Sequence, residues 1–383
     1  MEAYPYFKDY HKDVREIARS VARELRDKAF IADEKEDYTI IEGNLKRLAE
    51  LGLLSIKIPS EYGGQGLDNL SYIIALEEIS RACASTALSY DAHMLTADTI
   101  EFGANEEQKR KFLPRLASGE IGAFALSEPT AGSDAAAIKT IAEKKGEHYV
   151  LRGEKHFITN GAVAKIFVVF AKTAPEKKAR GISAFIVERD TPGLKIGKIE
   201  SKMGVRGSPT TQLFLDDVEV PAENLIGKEN EGFKIAMQAL DIGRIAIGGI
   251  ALGLSKEAFS IALKYAQERV QFDQPIINFQ AIQFMLAEMY VKIVAMEHLT
   301  YHAAWLADQG KLDPTRSAVA KLFASEAALD ITDKAIQILG GIGYTREYPV
   351  ERFHRDAKIL TIGEGTTEIQ KLVIARNIIK LSM

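Results

Sequence analysis

Apolar and polar positions divide the chain into three stretches. Up to about residue 120 the apolar residues recur at helical spacing. Ile17, Val21 and Leu25 form one such face, and Leu45, Leu48, Leu51 and Leu53 a second. "IPSEYGGQGLDNL" interrupts them as a turn-rich break, with Asp68 placed to cap the helix that follows. The character then changes. "YVLRGEKHFITNG", "KIFVVFAKT", "ISAFIVER" and "QLFLDDVEV" are short β-branched and aromatic runs bounded by Gly, Pro, Asn or Asp, as strands are. From about residue 230 long helical periodicity returns, first through "FKIAMQALDIGRIAIGGIALGLSKEAFSIALKYAQERV", then over 280–309, 314–339 and 366–380. The pattern predicts an α+β chain with a β domain over 121–228, between helical domains over 1–120 and 229–383.

Composition narrows the class. With 383 residues the chain is long enough for two or three folding units sharing a large core. A net charge of −4 with interspersed signs argues against nucleic acid as the main partner. One cysteine, Cys83, excludes an internal disulfide framework and a cysteine-based metal site. No apolar run of about 18 residues is found, so no membrane span is expected. The N-terminus has neither a signal core nor the acid-poor character of a transit peptide, and a cytoplasmic protein is expected.

Four short segments carry candidate chemistry. In "ALSEPTAGSDAAA" (125–137) Gly132, Ser133 and their small neighbours let a ligand approach backbone N–H groups, and Ser127 offers a hydroxyl. The same segment also reads as a tight turn capped by Ser133 or Asp134. In "KHFITNG" (155–161) Phe157 is placed to shield an aromatic cofactor and Thr159 to donate to it. Taken alone it reads as a strand ending in an Asn-Gly turn. "QILGGIGYTREYPVERFHRD" (337–356) has a glycine cluster like a phosphate loop. Its spacing is not the dinucleotide fingerprint, and a helix C-cap with a turn accounts for it equally. "ILTIGEGTTEIQ" (359–370) sets Glu364 between two glycines before a helical pattern, as a cap or as a base. His93, His156, His298 and His302 lack a metal-ligand pattern, and no metal is expected.

Together these segments resemble the acyl-CoA dehydrogenase family over essentially the whole chain. "ALSEPTAGSD" and "QILGGIGYTREYPVERFHRD" look like its two signature motifs, in order and spacing. The resemblance implies N-terminal helices, a central β-barrel-like domain and a C-terminal four-helix bundle. It also implies bound FAD, an acyl-CoA substrate, a homotetramer built as a dimer of dimers, and an electron-transferring flavoprotein as acceptor. Phe124, Leu126 and Ser127 would contact the isoalloxazine ring, with Gly132 beside them and Ser133 nearer the CoA thioester arm. Phe157, Ile158 and Thr159 would lie beside the flavin. Asp241 and Arg244, in "LDIGR", match a CoA-contacting pair. Arg269, Gln271, Phe272, Phe279, Gln280, Gln337, Gly340 and Gly341 match residues that reach a neighbouring subunit's FAD. Thr366 and Glu368 match contacts to the adenosine half.

By the same resemblance Glu364 occupies the position of the catalytic base. A proton α to a thioester is weakly acidic, so a positioned carboxylate and a polarised carbonyl are needed while the flavin accepts a hydride from the β carbon. Burial should raise the Glu364 pKa. The family's minority placement of the base falls on Gly243 here. Two departures bear on the substrate. Gly363 stands where a tyrosine is usual, which opens space beside the base; Gly363 and Gly365 would line the acyl site. Asp91 stands in a pocket helix that is usually uncharged there, and it is expected to be ionised, as aspartate in water is with a pKa of about 3.9. A slight rotation of that helix would instead leave Asp91 solvated or paired. An α,β-unsaturated substrate has no α proton, so its γ proton would need a second carboxylate. This arrangement resembles the cyclohex-1-ene-1-carboxyl-CoA dehydrogenases of anaerobic alicyclic and aromatic degradation, which form a cyclohexadienoyl-CoA by 1,4-elimination. The alternative is ordinary α,β-desaturation of a short or cyclic saturated acyl-CoA by Glu364. Ser85 stands where an arginine would hold glutaryl-CoA. A nucleic-acid-protective relative is opposed by the negative charge and by Glu364. An oxidase is opposed by the missing C-terminal extension and by the ending "KLSM", which is not a peroxisomal address.

Overall fold

The computed structural model describes residues 4–381; the first three residues and the last two of "KLSM" lie outside the described residues. The chain opens with α1 (Asp9–Lys35), α2 (Tyr38–Glu50), α3 (Asn69–Ala82), α4 (Ala84–Gly103) and α5 (Glu106–Ala117). The buried stripe of α1 is Val14, Ala18, Val21, Leu25 and Ala29. Ile17, expected in that stripe, is 43% exposed, because Ala18 takes the inward position at this turn. Leu51 is likewise 37% exposed, since it caps the end of α2 instead of continuing its buried face. Asp68 does cap α3, accepting the Ser71 N–H at 2.8 Å.

The middle of the chain is one eight-stranded sheet. Its strands are β1 (Gly122–Ala125), β2 (Ile141–Lys145), β3 (His148–Thr159), β4 (Ile166–Lys172), β5 (Ile182–Glu188), β6 (Leu194–Ile199), β7 (Thr210–Pro221) and β8 (Leu225–Ile226). They run in the order β6-β7-β3-β2-β4-β5-β8, with β1 parallel to β4. The expected strands are β3, β4, β5 and β7. The others escape a pattern search. In β2, "IAEKK", only Ala142 is buried, and β6 has no fully buried residue.

Helices resume with α6 (Gly232–Glu268), α7 (Gln280–Asp308), α8 (Pro314–Leu339), α9 (Val350–Leu360) and α10 (Thr367–Leu381). A hairpin, β9 (Val270–Gln271) with β10 (Gln274–Pro275), joins α6 to α7. By length and composition α6 is apolar enough to cross a membrane, contrary to expectation, but 83% of its most apolar window is buried inside the fold. It is the central core helix. Gly253 lets it seat against α3, because a Cβ there would overlap the Glu77 carbonyl. Beside this contact Arg15 donates to Glu77 at 3.1 Å, to Glu78 at 2.9 Å and to the Tyr301 hydroxyl at 2.8 Å, tying α1 to α3 and α7. That charge is buried but fully paired.

Candidate active site

Glu364 sits on the turn between α9 and α10. The Gly363 N–H continues the end of α9, donating to Ile359 O at 2.8 Å. Glu364 then adopts φ 55° and Gly365 φ 95°. A left-handed conformation costs a non-glycine residue roughly 1–2 kcal/mol, so neighbouring bonds must hold it. The Gln370 amide donates to Glu364 O at 3.2 Å and to Gly365 O at 2.9 Å. The buried Lys321 ammonium, from α8, also donates to Gly365 O. Thr366 accepts the Ile369 N–H and opens α10, with Glu368 exposed in its first turn.

The side chain of Glu364 lies against α6 at Gly243, where a Cβ would overlap Oε2. Glu364 thus meets α6 at the position to which the resemblance assigns an alternative base. Gly243→Ala should push the flexible carboxylate aside without disturbing the backbone. A misplacement near 1 Å costs about 100-fold in rate, so turnover should fall by that order while FAD content and the melting temperature stay close to wild type. A variant of unchanged turnover would show that the carboxylate need not lie against α6.

Asp91, on α4, is buried and faces the same site; the slight helix rotation that would expose it is not found. The Tyr72 hydroxyl, from α3, donates to its Oδ1 at 2.8 Å. Asp91 and Glu364 are close enough for each carboxyl to act on the other's ionisation. Two neighbouring carboxylates resist ionising together, so one is favoured to keep its proton. Burial first, and Glu364 second, push the Asp91 carboxyl well above the usual range. Burial also raises Glu364, opposed by its bond with Asp91 and by the charges of Lys321 and Arg244. The expectation of an ordinary aqueous Asp91 is therefore corrected: removal from water and the neighbouring Glu364 carboxyl favour its neutral form. No donor reaches the buried Glu364 Oε2.

Asp241 and Arg244 pair with one another on α6, one turn apart. Burial lifts the Asp241 carboxyl to about 6 despite Arg244, and the Arg244 Nε is buried without a partner, poised for an acceptor. On the sheet side, Phe124 lies on β1 with its ring 4.8 Å from that of Phe170. Leu126 and Ser127 follow beside β3, where the His156 N–H donates to Ser127 O at 2.9 Å. Ile158 is buried, whereas Phe157 (φ 57°) is 63% exposed, its ring stacked on His156 at 4.0 Å. Gly132 and Ser133 are exposed, with open space at Gly132. The exposed Phe157 ring, the half-buried hydroxyls of Ser127 and Thr159 and the exposed Gly132 are the kinds of groups that would hold a flat polar ring system such as a flavin.

Family models match the chain in three consecutive pieces, the acyl-CoA dehydrogenase N-terminal domain over residues 8–120, its middle domain over 123–218 and its C-terminal domain over 230–379. The chain belongs to the acyl-CoA dehydrogenase family. It is similar to the short-chain-specific acyl-CoA dehydrogenase of Clostridium acetobutylicum, at 48% identity over 96% of this chain and 97% of that one. Among solved structures it is similar to butyryl-CoA dehydrogenase from Megasphaera elsdenii, with TM-score 0.95, 41% identity and coverage of 99% and 100% of the two chains. It is also similar to an acyl-CoA dehydrogenase complexed with FAD from Bacillus anthracis, with TM-score 0.94, 37% identity and coverage of 99% and 68%. This chain is thus an FAD-dependent oxidoreductase acting on the CH–CH bond of an acyl-CoA. Two of these relatives are named for short acyl groups, and none is named for the ring-bearing substrate expected from the sequence.

In this dehydrogenase several working residues carry no motif. Lys155 is wholly buried and reaches Glu128 at 2.8 Å and Leu126 O at 3.2 Å, bracing the "ALSEPTAGSD" loop from β3. Burial lowers the Lys155 ammonium to about 8, with Glu128 opposing. His93 accepts the Gly122 N–H at 3.1 Å, fixing the start of β1 to the helix that carries Asp91. Lys321 and Tyr72, equally unforeseen, hold the two acids. Only Lys321, a lone cation within the helical run "SAVAKLFASEAAL", carried a local signal; Lys155, His93 and Tyr72 carried none. Among the described residues no group of three or more His, Cys, Asp or Glu could hold a metal ion.

Proposed function

We propose that this enzyme oxidises a cyclic enoyl thioester of the cyclohex-1-ene-1-carboxyl-CoA type by 1,4-elimination, with Asp91 as the base for the γ proton. The observation that carries this reading is the meeting of Asp91 and Glu364 in one buried site. Beside them Gly363 leaves room, since a Cβ there would meet only Ile359 O at 3.6 Å. FAD, when bound, supplies the acceptor for a hydride. With a saturated thioester the shared proton stays on Asp91, and Glu364 takes the α proton. With the ring enoyl thioester the α carbon has no proton to give. The shared proton then rests on Glu364, and Asp91 takes the γ proton at Oδ2, its Oδ1 being held by Tyr72. The γ C–H electron pair becomes the β,γ double bond, the former α,β pair becomes a double bond to the second β carbon, and a hydride leaves that carbon. Arg244 and Asp241 would steady the CoA arm.

The deciding experiment is anaerobic oxidation of cyclohex-1-ene-1-carboxyl-CoA deuterated at the γ carbon. Flavin bleaching with a primary isotope effect, and a diene lacking one γ deuterium, is expected. No bleaching with this thioester, beside rapid bleaching with butyryl-CoA, would leave the second reading. That reading is α,β-desaturation of a short saturated acyl-CoA by Glu364, and the short-chain and butyryl-CoA relatives favour it. In either case an electron-transferring flavoprotein is the proposed acceptor and the cytoplasm the proposed location.

The proposed assembly is supported by where the expected FAD contacts fall. α7 runs antiparallel to α6 and α8 runs parallel to it, so Arg269, Gln271, Phe272, Phe279 and Gln280 share one end of the bundle with Gln337, Gly340 and Gly341. That end is open; Phe272 is 88% and Tyr344 86% exposed. Arg269 is about 39 Å along α6 from Gly243 at 1.5 Å per residue. Both sets serve one FAD if a second copy brings its open end to the groups around Phe157, as in a dimer of dimers. Light scattering should therefore give a tetramer with one FAD per subunit. An active, FAD-loaded monomer would contradict this.

A further inference from the structure

We propose that Tyr72 is the positioning residue that makes Asp91 a base, at the end of a buried relay running Asp98–Lys57–Tyr72–Asp91. The inference rests on the two-carboxylate reading above. Its geometry is continuous. Lys57, ahead of α3, reaches the two Asp98 carboxylate oxygens at 2.8 and 2.7 Å, and both side chains are almost fully buried. The same ammonium stands 4.8 Å from the centroid of the Tyr72 ring. The Tyr90 ring meets Tyr72 edge-on at 5.3 Å, while the Tyr90 hydroxyl is committed to Leu53 O. The Tyr72 ring is thus fixed by a cation and an aromatic edge, and its hydroxyl has one acceptor, Asp91 Oδ1 at 2.8 Å.

This arrangement does three things. The hydrogen bond favours the ionised form of Asp91 over the neutral one. It occupies Oδ1, so the remaining oxygen is the one offered to substrate. The Lys57 cation beside the ring draws density from the phenol and makes its O–H a better donor. Burial keeps that phenol protonated at every working pH. The other groups around Asp91 act differently. Glu364, from the turn before α10, and Asp98, on α4 itself, oppose its ionisation. Lys57 offsets Asp98, and Lys321 and Arg244 act on Glu364. Tyr72 is therefore the group that pulls the shared proton away from Asp91, whereas Lys321 and Arg244 pull it away from Glu364. The two sets of contacts bias one proton in opposite directions, and so select between γ and α proton abstraction.

Tyr72→Phe removes one oxygen and keeps the ring. Losing a hydrogen bond to a charged acceptor should move the acid limb of the pH profile for the cyclic enoyl thioester up by about one unit, with turnover near neutrality falling about 10-fold. Oxidation of butyryl-CoA should fall less, because loss of Tyr72 leaves the proton on Asp91 and Glu364 free. Incorporating 3-fluorotyrosine at position 72, a stronger donor of the same shape, should move the limb the other way. An acid limb unmoved by both replacements, or equal losses on both substrates, overturns the role of Tyr72. If Tyr72→Phe fails to bind FAD, the fluorotyrosine enzyme alone decides by the same limb. Asp91→Asn run in parallel separates the two ideas. Full oxidation of the cyclic thioester by Asp91→Asn overturns the two-carboxylate reading itself, whereas an inactive Asp91→Asn beside an unaltered Tyr72→Phe overturns only the relay.

Discussion

Glu364→Gln should lower α,β-desaturation of butyryl-CoA by about 10⁴-fold, the upper range of what a positioned general base contributes. The amide keeps the length of the side chain and its seat against Gly243, so FAD content and thermal stability should hardly change. What is lost is the lone pair that takes the α proton. The measurement is the rate of anaerobic flavin bleaching in stopped flow. A rate within tenfold of wild type would move the base elsewhere. Two further consequences separate a base from a binding group. Burial raises the Glu364 carboxyl above its ordinary value of about 4.3. The base works deprotonated, so wild-type turnover should rise with pH through that raised value, and the variant should lose this limb. The cyclic enoyl thioester should suffer less than butyryl-CoA. With no carboxyl at 364, the neighbour loses the charge that opposed its ionisation.

Helical periodicity made most of the architecture legible, because α1, α6, α7 and α8 are long and bury a continuous stripe. It missed α9, whose buried face of Val350, Phe353, Ala357 and Leu360 is interrupted by the buried polar Arg352 and Asp356. Strands were legible where a run of at least seven residues carries several buried β-branched or aromatic side chains, as in β3, β4, β5 and β7, and illegible where the strand is short or nearly all wet, as in β1, β2 and β6. For the site, the glycines around Glu364 marked a turn before a helix, and there Glu364 and Gly365 adopt left-handed φ. The partners of the acids were not legible. Tyr72, Lys57 and Lys321 sit in helical or turn segments whose local pattern reads as core or surface, and only tertiary packing brings them to Asp91 and Glu364. The state of Asp91 was misjudged for the same reason. A sequence gives an aspartate its aqueous pKa, while burial beside a second carboxyl decides the real one.

Asp91→Asn should abolish oxidation of cyclohex-1-ene-1-carboxyl-CoA, by at least about 10³-fold, while FAD remains bound. Asparagine accepts the Tyr72 hydrogen bond and fills the same volume, so only basicity and the shared proton are removed. Oxidation of butyryl-CoA should fall less, since its α proton faces Glu364. Equal losses would make Asp91 a structural residue, and full activity on the ring thioester would remove it from the mechanism. Because burial and Glu364 raise the Asp91 carboxyl, the wild-type reaction on the ring thioester should climb with pH through that raised value, and the variant has no such limb. Stability gives an independent check with a definite sign. The folded pKa of Asp91 lies above the unfolded value of about 3.9. Its contribution to stability is therefore full below that pH and is lost as pH rises toward the folded value. Asparagine carries no such loss. The variant should melt near wild type in acid and above it at neutral pH, a gap that widens with pH until the carboxyl is fully ionised. A carboxyl that lowers stability in order to act as a base is what a catalytic role predicts; one whose replacement lowers the melting temperature at neutral pH would be holding the fold together instead.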